Sequence, residues 1–188
     1  RQSGGSSSGA GVAVATGIGL ASIGSDTGGS VRIPAAFCSV TGYKPTYGAI
    51  PLDGALPLSW TCDHAGPLAR SVDDCALLYE TMAQRRVAHG TVARRTQLAD
   101  AWRAYTPIVR TEAAWVHRAA LDAGGSGFSP LVRPALDAAR SLLAVEYADA
   151  MQTRAALSRA LDAALVDCDA WIAPTSTVLP PLRGQNDV

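Results

Sequence analysis

Residues 9–21 read GAGVAVATGIGLA, a run built of small and β-branched side chains, Leu20 apart, without a charge. Such a run has no polar face to turn to water, so it must be a buried helix or strand of a layered α/β core. It is bracketed by two glycine–glycine–serine turns, Gly4-Gly5-Ser6 and Gly28-Gly29-Ser30. Turns at both ends of a buried segment let one fold back upon the other, because glycine adopts backbone conformations that other residues resist. The pattern predicts a helix over 8–16, capped by the serines at its start, and a short strand over 20–24.

Downstream, VRIPAAF predicts a short helix interrupted by Pro34, and CSVTGY (38–43) a buried strand ended by Lys44-Pro45. Residues 46–70 carry Pro51, Pro57 and Pro67 and read as loop with a strand or two. Ser71-Val72-Asp73-Asp74 is a helix start, a capping serine followed by first-turn acids. The arginine-rich stretch 84–95 reads as a linker or a shortened junction. Apolar groups at Leu98, Trp102, Tyr105, Val109, Ala113 and Val116 then form a helical stripe. Another helix is expected after Ser129 with Pro130 at its first position. A long Ala-rich helix over 146–166 and a short strand, AWIAP, close the pattern. The organisation expected is a core over 1–83 holding both serine motifs, the junction 84–95, and a helical part of the same domain over 96–188.

With 16 basic and 16 acidic residues in 188 the formal charge is zero, which argues against a nucleic-acid surface or a polybasic membrane face. Lys44 is the only lysine; every other basic residue is arginine. Cys38, Cys62, Cys75 and Cys168 are widely spaced among apolar neighbours, which predicts buried free thiols rather than a zinc site or a disulfide framework. No apolar run approaches the ~20 residues a bilayer span requires. A cytoplasmic protein without metal or cofactor is the expectation. Arg1 leads straight into a glycine turn, a poor start for a domain, so the chain is expected to be a piece of something longer.

Chemistry concentrates in SDTGGS. Successive glycine amides can converge on one point, as in an oxyanion hole, and a serine ending that loop places a nucleophile beside the developing charge. Ser6 in the first turn could relay a proton to Ser30, but serine is a weak base and needs a stronger one behind it. His64, His89 and His117 have no motif around them and read as structural.

The ordered set GGSS, SDTGGS, RIPAAF and KPT, running without a gap from Gly4 to Gly48, resembles the signature stretch of the amidase signature family of serine hydrolases. GPLARSVDDCALL and WIAPTS are similar to the family as well. The resemblance implies a mixed central sheet flanked by helices, here incomplete, and a Ser–Ser–Lys mechanism on a linear carboxylic amide. Ser30 would be the nucleophile and Ser6, on a cis peptide, the bridging serine. The backbone N–H groups of Thr27, Gly28, Gly29 and Ser30 would form the oxyanion hole, with Ser25 and Ser7 supporting. Asp26 and Arg32 would be structural partners around the loop. The family's lysine lies upstream of the GGSS turn and is not in this chain, and Lys44 matches the structural KPT position. The partner implied is a small-molecule amide, with no membrane, and a homodimer is compatible. Nucleic acid enters only on the alternative that this is the amidase subunit of a glutamine-dependent tRNA amidotransferase. A degenerate, non-catalytic relative is the third reading.

Overall fold

The computed structural model describes residues 1–86, 93–95, 101–166 and 170–184. It divides into two units, one formed by Arg1–Ala55, Cys62–His89 and Pro174–Val188, the other by Leu56–Thr61 and Gly90–Ala173. Much of the expected junction 84–95, with His89, and the stripe position Leu98 lie outside the described residues, as does Cys168.

The first unit holds α1 (Ser8–Ala15), β1 (Ala21–Asp26), α2 (Arg32–Phe37), β2 (Thr41–Gly42), β3 (His64–Ala69) and α3 (Val72–Ala83). The strands form an antiparallel sheet in the order β1–β3–β2, with Ala21 opposite Ala69 and Asp26 opposite His64. Val14 of α1, Val31, Ala35 of α2 and Leu68 of β3 make the core, with Ala10 and Val40 packed against it. Each such valine or leucine contributes roughly 1.5–3 kcal/mol by leaving water. Of the apolar run 9–21, residues 9–15 lie in α1 and only Ala21 reaches β1, and the chain reverses between the two elements at Gly17, whose φ is +76°. The burial expected of the whole run is met only in part: Gly11 and Val14 are buried, whereas Ile18 and Leu20, beyond the end of the helix, are 83% and 79% exposed.

Three local expectations change. Pro34 does not interrupt α2; it sits in the first turn, where a missing N–H costs no intrahelical bond. The strand expected over 38–43 shrinks to Thr41–Gly42, because Cys38 closes α2 and Ser39 takes a left-handed φ of 56°. Of the cysteines expected to be buried, only Cys75 is, among the described residues; Cys38 and Cys62 are half-buried free thiols. Ser71 caps α3 as expected, accepting from the Asp74 N–H at 3.1 Å.

The second unit pairs β4 (Ala93–Arg95) in parallel with β5 (Ala170–Ile172). It also holds α4 (Ala101–Val116), α5 (Arg118–Asp122), α6 (Arg133–Ala139) and α7 (Ala144–Ala164). Ala113, Leu121 and Leu136 form its apolar cluster with Phe128. The expected stripe is partly met: Val109 and Ala113 are buried, but Trp102 is 68% exposed. The buried face instead includes Glu112, which the apolar pattern passed over. Its carboxylate accepts from Ser59 Oγ (2.6 Å), Thr61 Oγ1 (2.8 Å), Thr61 N–H (3.1 Å) and Tyr147 OH (3.0 Å). α6 begins three residues later than expected, with Pro134 rather than Pro130 in its first turn. No helix among the described residues is long and apolar enough to cross a membrane.

Candidate active site

The two glycine–serine turns meet. The Ser7 N–H donates to the Ser30 carbonyl oxygen at 3.2 Å. The Ser7 hydroxyl accepts from the Ser25 N–H and donates to the Ser25 carbonyl, both at 3.2 Å. Ser7 stands at the N-terminus of α1, but its side chain makes no capping bond there. One hydroxyl thus satisfies both backbone groups of Ser25 on the edge of β1 that faces away from β3. The approach needs Gly24: a Cβ at that position would lie 2.6 Å from Ser7 Oγ. The supporting pair expected at Ser7 and Ser25 is brought together, with Ser25 taking part through its backbone and not its hydroxyl.

The loop after β1 is organised by Asp26, which is fully buried. Its Oδ1 accepts from the Gly29 N–H at 2.7 Å, and its Oδ2 from the Val31 and Arg32 N–H groups at 3.1 and 3.4 Å. The Arg32 guanidinium closes a fork on the same carboxylate, Nε at 3.0 Å and Nη2 at 2.9 Å. Burial alone would push the Asp26 carboxyl up. The Arg32 side chain, by hydrogen bond and charge, and the Val31 and Gly29 N–H groups outweigh that and hold it below the usual carboxylate range. The sequence placed Asp26 and Arg32 as structural partners of this loop, and the geometry has them in that role.

That network corrects one expectation. Gly29 is expected as an oxyanion donor, yet its N–H is committed to Asp26. Gly29 serves by shape: its φ is +132°, and a Cβ would meet Ile33 Cδ1 at 2.7 Å. The donors that Asp26 does not take are the N–H groups of Thr27, Gly28 and Ser30.

The remaining site residues fall as follows. The Gly5–Ser6 peptide bond is cis, the form the resemblance implies for the bridging serine. Ser6 is exposed and Ser30 half-buried. The backbones of the two turns are joined, but no hydrogen bond links the Ser6 and Ser30 hydroxyls among the described residues. Lys44 Nζ donates to the Pro45 carbonyl at 2.6 Å. Burial pulls its ammonium below the ordinary lysine value, with the Arg32 charge adding and Asp26 opposing. Among the described residues, no three His, Cys, Asp or Glu side chains gather as a metal site.

Two neighbours of the loop were missed by sequence reasoning. Thr27 Oγ1 donates to Asp63 Oδ1 at 2.6 Å. His64 Nδ1 lies 2.6 Å from the Cys62 carbonyl and 3.3 Å from the Asp26 carbonyl. Only the β1–β3 register, which sets Asp26 against His64, brings them to the loop.

The family model for amidases matches residues 1–106, more than half of the chain. The chain belongs to the amidase family. A glutamyl-tRNA(Gln) amidotransferase subunit from Chromohalobacter salexigens is 50% identical over 92 residues, 49% of this chain and 19% of that protein. The AmiD protein of Mycobacterium bovis, named as an amidase, is 29% identical over 230 positions that take in 94% of this chain and 48% of its own. Those 230 positions exceed the 188 residues available, so AmiD carries residues within the matched span that this chain lacks. A solved amidase structure superposes on the whole chain with a TM-score of 0.93 at 40% identity. The chain spans 52% of that amidase. Its mixed α/β arrangement of a small sheet and helices is therefore part of the amidase fold.

Proposed function

We propose that this chain carries the nucleophile half of an amidase site, cleaving the C–N bond of a linear carboxylic amide through a serine ester. The supporting observation is the junction of the two turns. The Ser7–Ser30 backbone bond sets the first turn against the loop whose Thr27, Gly28 and Ser30 N–H groups Asp26 leaves available.

In this reading Ser30 Oγ adds to the amide carbonyl, and the carbonyl oxygen, now negative, takes hydrogen bonds from those backbone donors. The Ser30 proton passes through Ser6 toward a base and on to the departing nitrogen, so the C–N bond breaks with a neutral amine or ammonia leaving. Water then hydrolyses the ester and restores the hydroxyl. Lys44 is not assigned as that base, since its Nζ donates to the Pro45 carbonyl at 2.6 Å. The substrate is a small molecule.

A fluorophosphonate tests the nucleophile. Ser30 Oγ would bond to phosphorus while fluoride leaves, adding the phosphonyl mass to the Ser30 peptide. The label should vanish in Ser30→Ala. A folded chain that takes no Ser30-dependent label supports the degenerate reading instead.

The 50% identity to a protein of the glutamyl-tRNA(Gln) amidotransferase over 92 residues supports a second reading, in which the amide is glutamine and the ammonia is handed to a partner. Glutamine hydrolysis that rises on adding partner subunits would favour it. Turnover of simple amides without any partner would favour the free-standing amidase.

A further inference from the structure

The geometry points to Asp63 and His64 as positioning residues that fix the orientation of the Asp26–Thr27 peptide, and with it the Thr27 N–H as an oxyanion donor. The inference rests on the serine-ester reading above, whose loop it refines.

The Asp26 carbonyl and the Thr27 N–H belong to one peptide unit, and that unit is trans. In a trans peptide the C=O and N–H point in opposite directions. Whatever holds the carbonyl therefore decides where the N–H aims. His64 Nδ1 approaches this carbonyl at 3.3 Å and the Cys62 carbonyl at 2.6 Å. Both partners are acceptors only, so the ring proton sits on Nδ1 and is shared between them. Burial, with the Lys44 charge adding, pulls the imidazole below its ordinary value and favours the neutral ring. The Tyr47 ring packs edge-on against it, centroids 5.5 Å apart, which restrains its rotation.

The other end of the unit is held by its side chain. Thr27 Oγ1 donates to Asp63 Oδ1 at 2.6 Å, a short charge-assisted bond. Asp63 immediately precedes β3, and the pairing of Asp26 with His64 puts it across from Thr27. The loop is thus gripped from both sides. Asp26 draws in the Gly29, Val31 and Arg32 N–H groups, while Asp63 and His64 hold Thr27 and the carbonyl before it. These two anchors add to the β1–β3 pairing, in which Asp26 stands opposite His64 with its backbone groups toward β3, and together they keep the Thr27 N–H directed away from β3. A flipped peptide would present a carbonyl oxygen to the developing oxyanion, which repels it.

The test measures phosphonylation of Ser30 by a fluorophosphonate, separating kinact from KI. Thr27→Val keeps the shape of the side chain and removes the hydroxyl; His64→Leu removes the ring donor. Each should lower kinact by roughly 10- to 100-fold with KI held, the size expected when one oxyanion donor is misplaced. Thr27→Ser and His64→Asn, whose amide nitrogen can stand where Nδ1 stood, should recover most of the loss. Combining Thr27→Val with Asp63→Ala should add little to either alone, because both remove the same bond. Wild-type kinact in Thr27→Val and His64→Leu, with labelling still dependent on Ser30, overturns this inference and leaves the serine-ester reading standing. If the folded chain takes no Ser30-dependent label, it is the serine-ester reading that fails. The crystal structure of Thr27→Val combined with His64→Leu then decides the present point. A turned Asp26–Thr27 peptide supports it, and an unmoved one overturns it.

Discussion

The Ser7 N–H donates to the Ser30 carbonyl oxygen across 3.2 Å, tying the start of the apolar helix to the loop that ends the strand after it. The residue carrying that bond also closes the edge of β1 with its hydroxyl, and Gly24 leaves the room. Gly24→Ala should force Ser7 outward. The expected cost is about 1–3 kcal/mol, typical of overpacking a tight contact. Chemical denaturation checks it, and the fluorophosphonate rate should fall in parallel. Full stability with an unaltered rate would mean that the Ser7–β1 contact does not hold the turns together.

Asp26 should make the chain acid-sensitive. Its folded value is depressed, so its contribution is complete above the ordinary carboxylate value of about 3.9 and is lost as pH falls through the lower folded value. Denaturant titrations of the wild type should therefore show stability dropping below about pH 4. Asp26→Asn should lack that drop and be less stable by about 2–3 kcal/mol near neutrality. This is less than for a wholly buried pair, because the Arg32 side chain is 44% exposed.

His64 should act in a different window. Its folded value is also depressed, so between the ordinary value of about 6.5 and the folded one the unfolded chain binds a proton that the folded chain does not. Stability contributed by the neutral ring is complete above about pH 6.5 and falls as the pH drops below it. Comparing melting at about pH 7.5 and about pH 5.5, His64→Asn should lose less than the wild type over that interval.

Glu112 gathers four hydrogen bonds from Ser59, Thr61 and Tyr147 while wholly buried. Glu112→Leu would leave those donors facing an apolar side chain, at about 1–3 kcal/mol for each group left unpaired. Loss of more than about 3 kcal/mol, followed by the fluorescence of Trp60 and Trp115, is the expected outcome. The two rings pack edge to face with centroids 5.2 Å apart, so their signal reports on this corner.

The serine loop was legible because its chemistry is local. GGSS and SDTGGS announce turns and donors within a few residues, and the apolar run between them announces the helix that follows the first turn, though not the exposure of Ile18 and Leu20 beyond it. Which amides stay available was not legible, since that depends on Asp26 turning back onto Gly29 three residues away. Asp63 and His64 carried no signal because only strand pairing sets them against Asp26 and Thr27. Glu112 was hidden for the same reason: one acid in an apolar stripe looks like an interruption until its donors at Ser59 and Thr61 arrive from 51 to 53 positions earlier. Pro130 fits the start of α6 only by a rule that Pro134 satisfies equally well.

The most direct measurement is the mass of the Ser30 peptide after the protein has been mixed with an amide substrate and quenched in acid. An added acyl group on Ser30 is expected, absent in Ser30→Ala and discharged by hydroxylamine as the hydroxamate. Amide turnover that persists in Ser30→Ala, with no acyl group on that peptide in the wild type, would contradict it.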